Sequence, residues 1–321
     1  MAKFKKFLRL VSFVLIFCLL LSGASWIFAP KDNRKEAGFR NSTASGYLGE
    51  KENTIDVLFL GDSECYSSFS PMQLWNEHGL VSYSCGTSRQ YIQDTQQYLH
   101  SFCEKQNPKL VILEVNLMYR SEGKMTDFMR GFQNTLMQIL PIVEYHDRWK
   151  NLTFNDSKKS SGYTGRDTLK GFRINKKIKP YVKGEYMRYT DASHEIPSVN
   201  LYYFKKIAEY CKQNNIQLLL VNTASPVNWT YEKHNGIAEL AKEYDLKYLD
   251  MNLLVKELKI NWEEDTYDEG DHVNFNGAEK VTKYLGKYIK ENYELPDRRA
   301  DKNYEIWHKD FKAYNEKVKN G

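Results

Sequence analysis

Short apolar runs recur along this chain, and each is followed by a stretch whose apolar residues repeat every three to four positions. The runs are typical of buried strands in a parallel sheet, and the stretches between them are typical of helices that pack one face on it. Strands and helices in alternation predict an α/β fold in which helices cover both faces of a parallel sheet. The predicted strands are residues 56–60, 80–84, 110–116, 216–224 and 246–252.

Differences in composition along the chain divide it into segments on either side of this α/β pattern. A content of 41% hydrophobic and 27% charged residues fits a globular body that can bury a core. The last segment spaces aromatic residues three to four positions apart, which predicts a helix that packs back on the domain. The predicted segments are a basic flank with an apolar helix (1–30), a polar tether (31–52), the α/β domain (53–295) with an insertion (120–198), and a C-terminal amphipathic helix (296–321).

The N-terminus carries a segment long enough to cross a membrane. Residues 10–29 form an uncharged run of 20 residues behind a basic flank, and about 20 apolar residues span a hydrocarbon core. The basic flank is expected to stay in the cytoplasm, which places the rest of the chain outside. Ser22 and Ala24 offer a small-x-small cleavage site, so a secretory signal is the alternative to a retained single-pass anchor.

Several classes of function find no support in the sequence. The net charge of +5 is mild, and no nucleic-acid motif is present. No cysteines show zinc-ligand spacing, and no phosphate-cradling loop occurs, so we expect neither a metal nor a cofactor. Cys65 and Cys85 each follow a predicted strand closely, and they are interpreted either as a disulfide pair or as buried hydrophobic side chains.

The first candidate for chemistry is Ser63, in the stretch "GDSE" that follows the first predicted strand. Ligands of parallel α/β sheets bind beyond the carboxyl ends of the strands, which is where this serine lies. A serine at the start of a helix is also a common N-cap, so that role is the alternative. A nucleophilic serine requires a base and donors aimed at the developing oxyanion.

The base and the donors have candidates at other strand ends. His272 lies in the polar loop "YDEGDHVNFNG" ahead of the last predicted helix of the domain. The backbone N–H of Ser63 is one donor. Gly86 follows the second strand and lets the backbone approach a ligand closely, and Asn116 ends the third strand and offers a side-chain amide. Three acids that precede the histidine are candidates to orient it: Asp268, Glu269 and Asp271.

These four elements, in this order, resemble the SGNH, or GDSL-type, hydrolase superfamily. The resemblance covers residues 55–120 and 215–290, and it implies a three-layer α/β/α sandwich. It also implies that Ser63 is the nucleophile, that His272 is the general base, and that the Ser63 amide, Gly86 and Asn116 form an oxyanion hole.

The chain departs from the superfamily pattern in two blocks. The usual G-x-N-D reads "EVNL" here, with Glu114 in place of the glycine. The usual D-x-x-H has Glu269 at its first position. We expect Asp268 as the acid, with Glu269 and Asp271 as alternatives.

A membrane-tethered domain of this type is similar to the extracytoplasmic O-acyltransfer proteins of bacterial envelopes, which act on alginate, peptidoglycan or teichoic acid. The resemblance implies an acyl-ester donor, an envelope polysaccharide as acceptor, and a multispanning membrane O-acyltransferase as a possible partner. Ester hydrolysis on the same polymer uses the same groups, since the acceptor alone differs. A general carboxylesterase or lipase, and a non-catalytic polymer-binding module on the same fold, are the alternatives.

Overall fold

A five-stranded parallel sheet forms the centre of the molecule, in the order β2-β1-β3-β4-β5. The computed structural model describes residues 2–158, 160 and 162–320. Each strand lies inside a predicted apolar run and is somewhat shorter than it. The strands are β1 (Val57–Leu60), β2 (Ser82–Ser84), β3 (Leu110–Glu114), β4 (Gln217–Asn222) and β5 (Lys247–Asp250).

Helices connect the strands and extend the chain at both ends. Short 3-10 turns follow β3 at Asn116–Tyr119 and occupy His146–Asn151 and Phe154–Ser157 in the insertion. The α-helices of the described residues are α1 (Ala2–Phe28), α2 (Ser63–Ser68), α3 (Pro71–His78), α4 (Ile92–Cys103), α5 (Lys124–Ile139), α6 (Ile142–Tyr145), α7 (Ser198–Gln213), α8 (Tyr231–Glu243), α9 (Phe275–Asn292) and α10 (Glu305–Asn320).

The sheet is buried on both faces, because successive side chains of a strand point to opposite sides. Leu58 and Leu60 of β1 belong to a core that includes apolar residues of α4, α7 and α8. Val57 and Phe59 belong to a second core, on the other face, that includes apolar residues of α9. This arrangement confirms the predicted α/β/α sandwich.

The N-terminal helix α1 stands apart from these cores. Its segment Lys3–Phe28 has a mean hydropathy of 2.4 over its most apolar window, and only 6% of that window is buried. By length and composition this helix can cross a membrane, which agrees with the predicted apolar segment.

The segment after α1 and the insertion pack onto the α/β domain. Asn33, Tyr47 and Glu50 are buried. Glu50 binds the fully buried Lys170 of the insertion at 2.6 Å, and Lys170 also binds Asp310 of α10 at 2.5 Å. One buried ion-pair cluster therefore joins three parts of the chain that are far apart in sequence.

Candidate active site

The turn between β1 and α2 presents Ser63 at the start of a helix. Asp62 is the N-cap residue, since its Oδ1 accepts a hydrogen bond from the Glu64 amide at 3.0 Å. The alternative interpretation of Ser63 as the N-cap of α2 is therefore wrong, because Asp62 has that role. Ser63 is the first residue of α2, where backbone N–H groups lack partners within the helix, and it is partly exposed among buried neighbours.

His272 is held by Asp268 through two hydrogen bonds. Its ring Nδ1 lies 2.7 Å from Asp268 Oδ2, and its backbone N–H donates to Asp268 Oδ1, also at 2.7 Å. The Nε2 atom is buried and has no hydrogen-bond partner among the described residues. An acid on Nδ1 fixes the tautomer that leaves Nε2 free to accept a proton, so this pair has the arrangement of a general base with its orienting carboxylate.

The two alternative acids have other partners. Asp271 Oδ2 is 3.7 Å from His272 Nδ1, and its Oδ1 accepts instead from the Asn228 side chain at 2.5 Å. Glu269 is more than half exposed and pairs with Lys179 at 3.2 Å. Of the three predicted acids, Asp268 is the one that the structure brings into hydrogen-bond contact with the imidazole.

The charges around His272 raise its pKa. Burial acts against the imidazolium, but the hydrogen bond that the ring donates to Asp268 and the negative charges of Asp271, Asp268 and Asp62 outweigh it, so the pKa of His272 lies above its usual value. A base must be neutral to take a proton. Any reaction that uses His272 as its base is therefore expected to become faster as the pH rises through this pKa.

Asn116 and Gly86 both lie near the turn between β1 and α2, but of the two only Asn116 lines the cleft beside Ser63. Asn116 lines the same cleft as Ser63 and His272, whereas Gly86 packs behind the turn. A Cβ atom on Gly86 would come within 2.8 Å of the Asp62 carbonyl oxygen, so only glycine allows this close approach.

Glu114, which replaces the glycine of the superfamily pattern, is a buried link beneath Asn116. Its carboxyl oxygens accept from the backbone N–H of Asn116 at 3.1 and 3.3 Å, and Oε1 also accepts from the Asn222 side chain at 3.0 Å. These bonds join the ends of β3 and β4. The substitution thus supports the turn that holds Asn116.

The cleft has a volume of about 360 Å³. No hydrogen bond joins Ser63 Oγ to His272 Nε2 in the described part of the chain; in unliganded enzymes such bonds are often long and tighten when substrate binds. All eight lining residues carry polar or charged side chains: Asp62, Ser63, Arg89, Asn116, Arg120, Asn228, Asp271 and His272.

Sequence reasoning missed Arg89, Arg120 and Asn228 as cleft residues. All three follow strand ends, which is the signal that pointed to Ser63 and Asn116. Arg120 binds Asp62 at 2.5 Å. Burial raises the pKa of Asp62, and the Arg120 guanidinium opposes that shift.

One group of donor atoms is close enough to hold a cation. Oxygen or nitrogen atoms of Asp268, Asp271 and His272 lie within 4.8 Å of one another. The Asp268–His272 hydrogen bond already uses two of these groups, so the arrangement fits a base and its orienting acid better than a set of metal ligands.

Comparisons with known proteins give low similarity. No protein-family model and no curated protein match the chain. It is similar to a solved lipolytic protein of the G-D-S-L family from Desulfitobacterium hafniense, with 13% identity over 73% of this chain and 99% of that one, at a TM-score of 0.39. A GDSL-like lipase from Bacteroides thetaiotaomicron has 10% identity over 74% and 89% of the chains, at a TM-score of 0.36. A lipase/acylhydrolase from Enterococcus faecalis has 12% identity over 76% and 99%, also at 0.36. Such values transfer no activity to this chain, and the function proposed below rests on the side chains of the cleft.

Proposed function

We propose that the protein is an extracytoplasmic serine enzyme that transfers an acyl group, such as acetyl, to a hydroxyl of a cell-surface polysaccharide or removes one from it. The observation that carries this proposal is the 2.7 Å contact between His272 Nδ1 and Asp268, in the cleft that Ser63 and Asn116 also line. A base, its orienting acid, a nucleophile and a donor amide are the groups that acyl transfer requires.

The proposed reaction proceeds in two steps. Ser63 Oγ attacks the carbonyl carbon of an acyl ester while His272 Nε2 accepts the hydroxyl proton, and the Ser63 amide and the Asn116 side chain stabilise the oxyanion. The leaving alcohol takes the proton from His272, which leaves an acyl-enzyme. A sugar hydroxyl, deprotonated by His272, then attacks the acyl carbon. The bond between the acyl carbon and Ser63 Oγ breaks, and His272 returns the proton to Ser63 Oγ. When water is the acceptor, the same site is an esterase.

The polar lining of the cleft favours a polysaccharide over a lipid substrate. A lipase has to bury a long acyl chain, and ligand sites for apolar groups are lined mainly by apolar side chains. Here every lining residue is polar or charged. A short acyl group on a hydrated polymer fits this surface better than a fatty acyl chain does, which ranks the general lipase second.

Ester turnover by the full chain in detergent micelles tests the catalytic proposal. Mixing the protein with p-nitrophenyl acetate is expected to give a burst of p-nitrophenol followed by slower turnover. Ser63→Ala should abolish the burst, and the exposed Ser193→Ala is the matched control that should retain it. Equal release from the wild type and Ser63→Ala would contradict the proposal and favour a non-catalytic polymer-binding module.

Acceptors separate transfer from hydrolysis. Polysaccharide fragments or short sugar acceptors added after the burst should raise the turnover rate and should carry the acetyl group in mass spectra if the enzyme is a transferase. Turnover that does not respond to acceptors and releases only acetate would identify an esterase.

A further inference from the structure

The insertion forms hydrogen bonds with the end of the N-terminal helix and the residues just after it. Phe28 is the last residue of α1. The Arg148 guanidinium donates a hydrogen bond to the carbonyl oxygen of Phe28 and also binds Asp156 at 2.5 Å. Ser160 donates to the carbonyl oxygen of Lys31, just after the helix. Arg148, Asp156 and Ser160 therefore lie beside the point where α1 ends.

The length of α1 sets the depth of this contact in a membrane. The uncharged run of residues 10–29 rises about 30 Å at 1.5 Å per residue. A hydrocarbon core is also about 30 Å thick. If α1 crosses the bilayer with its basic flank on the inner side, its last turn lies at the outer boundary between acyl chains and headgroups, and the part of the insertion that contacts it lies at the same level.

Large aromatic side chains are exposed at this level, each beside a lysine. Trp149 is 64% exposed and Phe154 is 82% exposed. The Lys150 ammonium lies 5.7 Å from the Trp149 ring, and Lys158 lies 5.4 Å from the Phe154 ring. Aromatic rings paired with basic groups are typical of residues that lie at a membrane–water interface.

Helix α5 leads to the same end of α1 and also exposes apolar residues. One side of the helix packs on the domain, where Asp127 and Gly131 are buried. Its end leads through Pro141 into α6, which packs against α1. The large apolar residues of α5 that remain exposed are Met125, Phe128, Met129, Phe132 and Ile139.

Exposed apolar residues are concentrated in this region. Outside α1, 15 of the described residues are large, hydrophobic and exposed, and seven of them lie within residues 125–154. A surface of this kind marks an interaction site. The two 3-10 turns of the insertion that carry part of it, and α6 at the end of α5, contact a helix that can cross a membrane, and this contact indicates a lipid bilayer as the partner.

We propose that the exposed apolar residues of α5, together with Trp149 and Phe154, form a lipid-contact surface that rests on the outer leaflet. The rings and α5 side chains lie at the boundary between headgroups and acyl chains, and Lys150 and Lys158 contact the lipid phosphates. This surface fixes the orientation of the α/β domain on the membrane. It rests on the proposed crossing of the bilayer by α1, and not on catalysis at Ser63.

Site-directed fluorescence on the full chain tests the proposal. The protein, with Cys18→Ser as background, is reconstituted into vesicles of phosphatidylcholine and phosphatidylglycerol and isolated by flotation. Phe132→Cys, Trp149→Cys and Phe154→Cys are labelled with an environment-sensitive dye. Val182→Cys is the matched control, because Val182 is 81% exposed and apolar but lies outside the proposed surface. The background protein measures labelling of the native cysteines.

Two quenchers give the result. A lipid with a nitroxide near the headgroup should reduce emission at the three surface positions by about half or more and leave the control nearly unchanged, because interfacial residues lie within about 5–10 Å of that depth. Iodide in the water should quench the dye at the control position strongly and the dye at the three surface positions weakly. Equal iodide quenching at all four positions would overturn the proposal and leave a protein partner as the occupant of this surface.

Flotation and ester turnover distinguish failure of the membrane anchor, of the lipid-contact surface and of the catalytic proposal. A chain that fails to float with the vesicles would overturn both the membrane anchor and the lipid-contact surface. Ester turnover is measured on the same labelled proteins. Loss of the nitroxide effect with turnover intact would reject the surface alone, and quenching as expected without turnover would reject the catalytic proposal alone.

Discussion

At the scale of single residues, the contact between Asp268 and His272 leads to the sharpest kinetic prediction. Asp268→Asn removes the charge that favours the protonated imidazole and leaves one acceptor oxygen for the two hydrogen bonds from His272, so the ring tautomer is no longer fixed. We expect kcat for ester turnover to fall by roughly a hundredfold or more. The acid limb of the pH–rate profile should move to lower pH, because burial, which lowers the pKa of His272, is then less opposed.

The neighbouring Glu269 provides the control for this change. Glu269→Gln is also a carboxylate-to-amide substitution in the same loop, but that side chain is exposed and pairs with Lys179. Its rate and its pH profile should match those of the wild type. Equal losses in the two variants would mean that the loop as a whole, and not Asp268, controls the histidine.

Glu64 leads to a prediction about stability and pH. Burial, with the charges of Glu114 and Asp62, raises the pKa of Glu64 well above its usual value. The folded state then holds this proton more tightly than the unfolded chain does. The contribution to the free energy of unfolding is complete below about pH 4.3, the usual pKa of glutamate. It is lost as the pH rises through the raised pKa.

Glu64→Gln removes this titration while keeping the shape and an oxygen for the Asn228 side chain. Relative to the wild type, the variant should therefore become more stable as the pH rises from 5 to 8, as measured by urea midpoints in micelles. The exposed Glu195→Gln should follow the wild type at each pH. A difference between Glu64→Gln and the wild type that stays constant over this range would contradict the prediction.

The residues of the cleft show how far sequence reasoning reaches. Ser63, Asn116 and His272 were identified because each lies at a strand end or in a loop with a recognisable pattern, and the structure brings them into one cleft. Arg89 and Asn228 lie in equally suitable positions. No periodicity fixes where a side chain in an irregular loop points, so the sequence did not distinguish these two from the other polar residues around them.

At the scale of elements, the strands were predictable and the path of the insertion was not. Apolar runs identify the inner strands β1, β3 and β4, because a strand that is buried on both faces is apolar at most positions. The edge strands β2 and β5 include polar residues and give weaker apolar runs. Lys170 lies in a basic stretch of the insertion, and a run of like charges is typical of a solvated surface. It is instead fully buried between Glu50 and Asp310. Its partners are 120 and 140 residues away, a distance over which no local pattern carries information.

This cluster predicts that the insertion contributes to the stability of the whole domain. Lys170→Met leaves the carboxylates of Glu50 and Asp310 buried with Arg166 as their remaining cation. We expect a loss of about 3 kcal/mol in the free energy of unfolding, because removing one partner of a buried ion pair strands the other charges. Urea titration in micelles measures it. Lys317→Met, which removes an exposed lysine of α10, should change the midpoint little, and an equal effect of the two variants would exclude a special role for the buried cluster.

At the scale of the whole molecule, the contacts between the insertion and the end of α1 bear on whether the N-terminus is retained. Cleavage at the small-x-small site would fall after Ala24. In the structure the next residue, Ser25, is buried, and Arg148 binds the Phe28 carbonyl oxygen four positions after Ala24. In the folded chain the site is helical and partly covered by the domain, so a peptidase can cut it only before the domain folds.

We therefore expect the mature protein to keep residues 1–30. Its intact mass, measured after extraction from membranes, should correspond to the uncleaved chain, and the protein should remain in the membrane fraction after a carbonate wash. Arg148→Ala with Ile27→Asp and Phe28→Asp removes the contact and shortens the apolar run, which makes the segment resemble a signal peptide. This variant should be cleaved and released. A wild-type mass that corresponds to a chain starting at Ser25 would show instead that the segment is a secretory signal. The lipid-contact surface would then lack the helix that holds it at the bilayer.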